Sequence, residues 1–205
     1  MKGPVALAIT GASGGAYGLA VLGLLMREGF FVHLMISDAG REVLAHEEGL
    51  ALSADPRTWP EALARHGGWG QGRLRAWRVD DWHAPVASGS GGVRAMLIAP
   101  CSMGTLARIA HGASTNLIER AADVMLKERR PLVLVPREMP ISAVHLRNML
   151  MLAESGAVIA PACPGFYHRP KSVEDLVRFV AERALAAAGI DRLSVRWGKE
   201  DDDEG

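Results

Sequence analysis

The segment TGASGGAYG, from Thr10 to Gly18, lies between the apolar run VALAI and the helix-like run LAVLGLLMRE. A glycine-rich turn between an apolar strand and a helix is typical of a βα unit. Its glycines leave backbone N–H groups unhindered at the helix N-terminus, where the helix dipole favours an anion. The segment therefore predicts a turn that holds a phosphate, although glycines there can also serve tight packing alone.

The turn departs from two common nicotinamide-binding patterns. A GxGxxG fingerprint fails because Ser13 occupies the place of its second glycine, and the short-chain dehydrogenase pattern fails because Tyr17 stands where that pattern needs glycine. The segment YHRPK imitates the Tyr-x-x-x-Lys pair of those dehydrogenases. However, Pro170 prevents the helical turn that would bring Tyr167 and Lys171 together. The pattern disfavours a nicotinamide enzyme and leaves a mononucleotide open.

Short β-type runs alternate with longer helical runs along the chain. The β-type runs lack in/out polar alternation, which is typical of parallel strands covered on both faces. We expect strands at 5–10, 31–36, 94–100, 131–136 and 157–162, and helices at 16–27, 38–47, 103–111, 116–128, 142–154 and 173–188. Ser37, Ser142 and Ser172 stand where helix N-caps belong. The alternation predicts one α/β domain with a doubly wound, flavodoxin-like or Rossmann-like parallel sheet and helices on both faces.

Residues 53–93 interrupt this alternation with Pro56, Pro60, Pro85 and many glycines. We expect a short helix near 59–66 and a strand near 74–79, with loops elsewhere. A glycine-rich loop of this length in a compact domain is usually functional. We assign residues 1–198 to the domain and the acidic segment KEDDDEG, 199–205, to a disordered tail.

Composition disfavours several classes of function. The formal net charge is zero because 23 Lys and Arg balance 23 Asp and Glu, so no overall basic field attracts nucleic acid or an anionic membrane. Apolar runs are broken before membrane-spanning length, and no leader precedes the first strand. Cys101 and Cys163 form neither a disulfide framework nor a metal-ligand spacing. We expect a cytoplasmic protein without membrane insertion, a nucleic-acid partner or a metal site.

Three further loops follow the carboxyl ends of predicted strands, where doubly wound sheets bind ligands. They are Ser37-Asp38, then APCSMGTLA (99–107), in which Ser102 to Thr105 open a helix, and VPREMPIS (135–142), which contains Arg137 and Glu138. An isolated exposed Arg–Glu pair is usually only solvated. Two glycine-containing strand-end loops beside a charged third loop nevertheless predict a ligand site.

Several segments together resemble the flavin prenyltransferases, the UbiX family: TGASGGAYG, MIS at 35–37, PCSMGTLA, NLIERAADVMLKERRPLVLVPRE at 116–138, and PGFYHRP at 164–170. The resemblance runs from about residue 5 to Gly198. It implies a flavodoxin-like homo-oligomer, typically a dodecamer, that binds FMN between subunits. Such enzymes transfer a dimethylallyl group from dimethylallyl monophosphate to N5 and then C6 of reduced FMN, without a metal. The prenylated FMN serves a UbiD-type decarboxylase, often in ubiquinone biosynthesis.

The resemblance also implies which residues form the site. The implied FMN contacts are Gly11, Ala12, Ser13, Ser37, Trp82, Ser102, Met103, Gly104, Thr105, Arg120 and Arg137. The implied catalytic residues are Ser13, Glu47, Lys127, Arg137 and Glu138. The residues implied to bind the prenyl substrate are Tyr167, Arg183, Lys127, Glu138 and Trp197. The chain reads HEEG around Glu47, so the register leaves Glu47 and Glu48 open.

Cationic residues suit the cleavage of an allylic C–O bond, which leaves developing negative charge on the departing phosphate. Lys127, Arg137 and Arg183 are expected to neutralise that charge, and Tyr167 to donate a hydrogen bond to it. Lys127 ends a predicted helix, where a cation is favoured in any case.

The remaining implied residues suit the allyl group and the protons. Trp82 and Trp197 can offer a π face and exclude water from a cationic allyl group. Glu138, or the phosphate itself, can accept the proton from C6. We hypothesise that Ser13 and Glu47 direct protons near N5.

Two other classes of function remain open. A flavin-dependent decarboxylase of the phosphopantothenoylcysteine type shares the fold, but PREMPISAVHLRNM (136–149) lacks its PxMNxxMW-like substrate stretch. Direct decarboxylation of an aromatic acid is a close variant. A non-catalytic flavin-storage or regulatory protein would not need Lys127, Arg137, Glu138 and Arg183 to converge. That expected convergence favours a transferase.

Overall fold

A computed structural model describes residues 2–69, 73–191 and 194. Within these ranges the chain forms a six-stranded, wholly parallel sheet in the order β3-β2-β1-β4-β5-β6. The strands are β1 Val5–Ile9, β2 Val32–Ile36, β3 Leu74–Trp77, β4 Ala95–Cys101, β5 Leu132–Pro136 and β6 Val158–Ile159. This confirms the predicted doubly wound fold. The predicted acidic tail lies outside the described residues.

Seven helices accompany the sheet in the described ranges. They are α1 Gly15–Arg27, α2 Asp38–Glu47, α3 Trp59–Gly67, α4 Met103–Ala110, α5 Leu117–Lys127, α6 Ala143–Glu154 and α7 Val173–Ala187. Short 3₁₀ turns occupy Pro56–Thr58, Pro85–Ala87 and Gly89–Gly91. Over the same ranges, no helix combines the length and the apolar character that crossing a membrane requires.

The two faces of the central strands are buried in two separate cores. Along β1, Val5, Leu7 and Ile9 belong to the core that includes side chains of α1 and α7. Ala6 and Ala8 belong to the opposite core, which includes side chains of α4 and α5. Since every residue of β1 is buried, the lack of polar alternation in its sequence follows from its central position.

Local sequence signals set most of the helix boundaries. The predicted caps are confirmed, because the hydroxyls of Ser37, Ser142 and Ser172 accept hydrogen bonds from backbone N–H groups in the first turns of α2, α6 and α7. The predicted strand 157–162 is wrong in length, since β6 ends at Ile159. Beyond Ile159 the Ala160 and Ala162 N–H groups still donate to β5, at the carbonyls of Leu134 and Pro136, but the segment is no longer regular strand.

Gly18 allows α1 to pack directly on the sheet. An added Cβ at this position would lie 2.4 Å from the Ala99 carbonyl oxygen and 2.8 Å from Cγ1 of Ile9. Both neighbours belong to the buried centre of the fold, so neither can move aside without a backbone shift. The glycine-rich turn therefore serves helix packing as well as any ligand.

We predict that Gly18→Ala lowers the free energy of unfolding by about 1–3 kcal/mol, because it overpacks the contact between α1 and β4. Urea denaturation measures the change. Gly104→Ala is the matched control, since an added Cβ there would meet only Nη1 of Arg108, at 3.5 Å, and alanine favours a helix. Equal stability of the Gly18→Ala variant and the wild type would contradict the proposed packing constraint.

Candidate functional site

The carboxyl ends of the parallel strands lie at one edge of the sheet, which we call the strand-end rim. Its residues directly follow the strands: Gly11, Ala12 and Ser13 after β1, Ser37 after β2, Ser102 after β4, and Arg137 and Glu138 after β5. Ligands of doubly wound sheets bind at this edge. The fold therefore brings the predicted strand-end loops together.

Thr10 ties the loops after β1 and β4 to each other. Its hydroxyl donates to the Pro100 carbonyl at 2.8 Å and accepts from the Ser102 N–H at 2.8 Å. The Thr10 N–H also donates to the Pro100 carbonyl, at 3.2 Å. Thr10 is almost fully buried, so these bonds satisfy polar groups that water cannot reach. They fix the position of Ser102 relative to the first turn.

Glu47, the last residue of α2, occupies the N-terminus of α1. Its Oε2 accepts hydrogen bonds from the N–H groups of Gly14 at 2.8 Å and Gly15 at 3.1 Å, and Ser13 donates a side-chain hydrogen bond to the same carboxylate. We expected these glycines to face a phosphate; they bind the protein's own carboxylate instead. The structure thus places Glu47, rather than Glu48, on the first turn.

The surroundings of Glu47 favour its charged form. Burial alone would raise the pKa of Glu47, but the hydrogen bonds from Ser13, Gly14 and Gly15 and the charge of Arg137 outweigh it, so the pKa lies below its usual value. The resulting contribution to stability is present above the pKa of the unfolded chain and is lost as the pH falls through the lowered pKa. Glu47 is therefore a carboxylate at neutral pH.

Arg137 joins the loop after β5 to the first turn. Its Nε donates to the Ser13 carbonyl at 2.9 Å, which leaves the rest of its half-buried guanidinium at the rim. Glu138 is exposed, and its carboxylate accepts the N–H of Met139 at 3.1 Å. Ser13, Glu47 and Arg137 thus form one hydrogen-bonded group.

Ser37 and Ser102 both cap helices at the rim. The Ser37 hydroxyl accepts from the Gly40 N–H at 3.0 Å, and the Ser102 hydroxyl accepts from the Thr105 N–H at 3.3 Å. Met103 and Thr105 are buried, whereas Gly104 is exposed. Among the described residues, the N–H groups of Met103 and Gly104 have no acceptor, as expected for the first turn of a helix.

Arg120 holds the glycine-rich loop between β3 and β4. Its Nε donates to the Ala87 carbonyl at 3.0 Å, and its Nη1 bonds to Asp123 at 2.7 Å. Trp82, in the same loop just after β3, is 49% exposed. The loop therefore leaves the ring of Trp82 about half exposed, five residues after the end of β3.

Lys127 does not reach the strand-end rim within one chain. It is the last residue of α5, and it pairs with the carboxylate of Glu128. Just beyond it, Arg130 bonds to the Val93 carbonyl at 3.0 Å, close to the start of β4. Lys127 therefore lies toward the opposite edge of the sheet from Ser102.

The predicted substrate residues Tyr167 and Arg183 lie in the loop after β6 and on α7. Tyr167 is 45% exposed, and its ring lies edge-on to Phe179 with centroids 5.6 Å apart. Arg183 is exposed on α7, ten residues after Val173, which is about 15 Å along the helix axis. Trp197 lies outside the described residues.

Sequence reasoning missed Thr10 and Tyr17 as site neighbours. An added Cβ at Gly14 would lie 2.8 Å from the Tyr17 ring and 4.0 Å from Cγ of Arg137, so Tyr17 lies beside the first turn. Burial and then Cys163 raise the pKa of Tyr17, and the charge of Arg137 opposes that rise. Cys101 is fully buried, and burial raises the pKa of its thiol to about 12, so it is not a nucleophile. Within the described ranges, no group of three His, Cys, Asp or Glu side chains is arranged to hold a metal.

The sequence is similar to known proteins along almost its whole length. Residues 1–185 match the family described as Flavoprotein. The chain is 54% identical over 203 residues to the protein named flavin prenyltransferase UbiX from Pseudomonas aeruginosa, and the match covers 98% of this chain and 97% of that protein.

Two crystal structures resemble this one closely. AnUbiX (PadA1), in complex with FMN and dimethylallyl pyrophosphate, is 37% identical with a TM-score of 0.79 and covers 96% of this chain and 100% of that chain. A dodecameric FMN-dependent UbiX-like decarboxylase from Escherichia coli O157:H7 is 35% identical with a TM-score of 0.81, with the same coverage of 96% and 100%. Together with the parallel fold and its strand-end rim, these similarities show that the chain belongs to the flavoprotein family and, within it, to the UbiX flavin prenyltransferases.

Proposed function

We propose that the protein transfers a dimethylallyl group from dimethylallyl monophosphate to reduced FMN, first at N5 and then at C6. The observation that carries the proposal is the hydrogen-bonded group of Ser13, Glu47 and Arg137 at the strand-end rim. It combines a held carboxylate, a hydroxyl and a cation, which are the groups that proton transfer and phosphate departure require. High identity to a named flavin prenyltransferase supports the same conclusion.

The donors at the rim fit FMN. Glu47 takes the N–H groups at the N-terminus of α1, so the phosphate would need another helix end, and α4 offers free donors at the same rim. The N–H groups of Met103 and Gly104 and the hydroxyl of Thr105 would bind the FMN phosphate there. Gly104 adds open space beside the helix end, since an added Cβ would meet only the end of the Arg108 side chain.

When bound, reduced FMN supplies the nucleophilic atoms of the reaction. Arg137 stabilises the negative charge on the departing phosphate, because Ser13 already fixes its guanidinium at the rim. Trp82 offers a π face to the allyl group and keeps water away. Glu138 accepts a proton directly or through the phosphate, and Glu47 exchanges a proton with the Ser13 hydroxyl.

A homo-oligomer would complete this site. Of the residues of α6, only Asn148 and Leu152 are buried, while Val144, Leu146 and Leu150 are each more than half exposed. Leu146 and Leu150 lie one turn apart on the same side of the helix, and we refer to these two side chains as the α6 apolar face. An exposed apolar face of this kind marks an interaction site, and the E. coli relative is described as dodecameric. In our proposal the face is buried between copies of this chain in a dodecamer.

Neighbouring copies of the chain would then bring to the strand-end rim the cations that do not reach it within one chain. Lys127 and Arg183 lie on other surfaces of the same protomer, so the prenyl phosphate would be bound across subunits, with Tyr167 as a further donor. We also propose that the product serves a UbiD-type decarboxylase in the cytoplasm, often for ubiquinone biosynthesis.

Mass spectrometry of the flavin tests the proposed reaction. After incubation with reduced FMN and dimethylallyl monophosphate, we expect a flavin heavier by one five-carbon unit, formed faster than with the pyrophosphate. An unaltered flavin would contradict the proposal. If the same protein then released CO₂ from phosphopantothenoylcysteine, the decarboxylase alternative would replace it; with neither product, a flavin-binding protein would remain.

Glu47→Gln tests the proton-transfer role. The amide oxygen can still accept from Gly14 and Gly15, so FMN binding should persist, but the rate of prenyl transfer should fall roughly 100-fold because the carboxylate is lost. Single-turnover kinetics measures the rate. Glu48→Gln is the matched control, since the Glu48 carboxylate is next in sequence but makes neither of these bonds. A Glu47→Gln variant with wild-type rates would remove Glu47 from the mechanism.

Leu150→Glu tests the α6 apolar face. A charge in an apolar interface is costly, so we expect a smaller species in size-exclusion chromatography with light scattering, and loss of prenyl transfer with the protomer still folded. His66→Glu, an exposed position on α3, introduces the same side chain away from the face and should leave the assembly unchanged. An intact oligomer in the Leu150→Glu variant would show that the interface lies elsewhere.

A further inference from the structure

Glu119 is a buried carboxylate to which neither sequence reasoning nor the resemblance assigns a role. It lies in the first turn of α5 and has no exposed surface. Its Oε2 accepts from the Thr115 N–H at 2.8 Å and the Thr115 hydroxyl at 2.6 Å. Its Oε1 accepts from Nδ2 of Asn116 at 2.8 Å and from Nε of Arg108. Burial alone would raise the pKa of Glu119, but the hydrogen bonds from Thr115 and Arg108 and the charge of Arg108 outweigh it and keep the pKa below its usual value.

The cap of α5 does not explain why this group is charged. The Asn116 side chain already accepts the Glu119 N–H at 3.0 Å as the N-cap, and a neutral glutamine could accept from Thr115 as well. The partner that specifically requires a carboxylate is Arg108, because a guanidinium pairs with a carboxylate more strongly than with an amide. The charge of Glu119 therefore serves its ion pair with Arg108 of α4.

Arg108 carries this interaction to the N-terminal turn of α4. Its side chain is 47% exposed, so without a partner it would be free to move in solvent. While its Nε bonds to Glu119, its Nη2 donates to Oγ1 of Thr105 at 3.3 Å. A continuous series of contacts thus runs from Glu119 through Arg108 to Thr105.

Thr105 is left with a hydrogen to donate. Its Oγ1 accepts from the Ser102 hydroxyl at 3.0 Å and from Arg108, and these two bonds use both acceptor positions of a hydroxyl oxygen. Across the described ranges, nothing accepts the hydrogen of the Thr105 hydroxyl. Only 5% of the surface of Thr105 is exposed, so bulk water is poorly placed to accept this hydrogen. A bound ligand is the natural acceptor.

We propose that Glu119 is a positioning residue: by holding Arg108 against Thr105, it makes the Thr105 hydroxyl a hydrogen-bond donor to an anionic ligand at the N-terminus of α4. The identity of this ligand as the phosphate of FMN rests on the proposed function. The orientation of Thr105 rests only on contacts within the chain.

A double-mutant cycle on FMN binding separates this role from a merely structural one. Glu119→Gln and Thr105→Val should each weaken FMN binding about tenfold, as expected for one charge-assisted hydrogen bond. The double variant should bind about as weakly as either single variant, because Glu119 acts through Thr105. Fluorescence titration gives the dissociation constants. Additive losses, about 100-fold in the double variant, would overturn the proposal.

Two further variants keep the test decisive. Arg108→Lys retains the charge but lacks the fork that joins Glu119 to Thr105, so it should reproduce the tenfold loss even if Glu119→Gln fails to fold. Trp77→Phe removes a different buried hydrogen bond, from Nε1 of Trp77 to Nδ1 of His33 at 3.0 Å. It should lower the Tm and leave FMN affinity within about twofold of the wild type.

The wild type distinguishes failure of this inference from failure of the proposed function. If it binds FMN without forming a prenylated product, the proposed reaction fails while the cycle still reports on Glu119. If it forms the product and the losses are additive, only the positioning role fails. If it does not bind FMN, both are overturned.

Discussion

At the N-terminus of α1, the Glu47 carboxylate takes the backbone donors that an anionic ligand would otherwise use. Gly14 and Gly15 donate to it, Ser13 adds its hydroxyl, and Arg137 balances its charge. The glycine-rich turn therefore fixes a carboxylate, to which we assign proton transfer in our proposal, where a phosphate was expected. Every other assignment at the strand-end rim follows from this, because the phosphate of a mononucleotide must then bind at another helix N-terminus.

The loop after β4 is suited to that second position. Thr10 fixes Ser102 against the first turn, and Glu119 acts on the same loop from α5 through Arg108. In our proposal one group of residues supplies proton transfer and another supplies phosphate binding, at adjacent strand ends. The cations Lys127 and Arg183 lie outside both groups, which gives the exposed α6 apolar face a functional reason to be covered by another copy.

Local patterns in the sequence were sufficient to predict the fold and the residues that meet at the strand-end rim. The apolar runs and serine caps give the helix bounds to within two residues, and the parallel order brings Ser13, Ser102 and Arg137 to one edge. Tertiary contacts decide the rest. The spacing of Asn116 and Glu119 suggests a helix cap, but the burial of Glu119 depends on Arg108 of another helix. Likewise, the occupation of the α1 N-terminus by Glu47 depends on where α2 ends.

A crystal structure of the protein with FMN tests the account most directly. The account predicts that the FMN phosphate accepts hydrogen bonds from the N–H groups of Met103 and Gly104 and from the Thr105 hydroxyl, while Glu47 keeps its bonds to Gly14 and Gly15. A phosphate bound to Gly14 and Gly15, with the Glu47 carboxylate displaced from the N-terminus of α1, would contradict it.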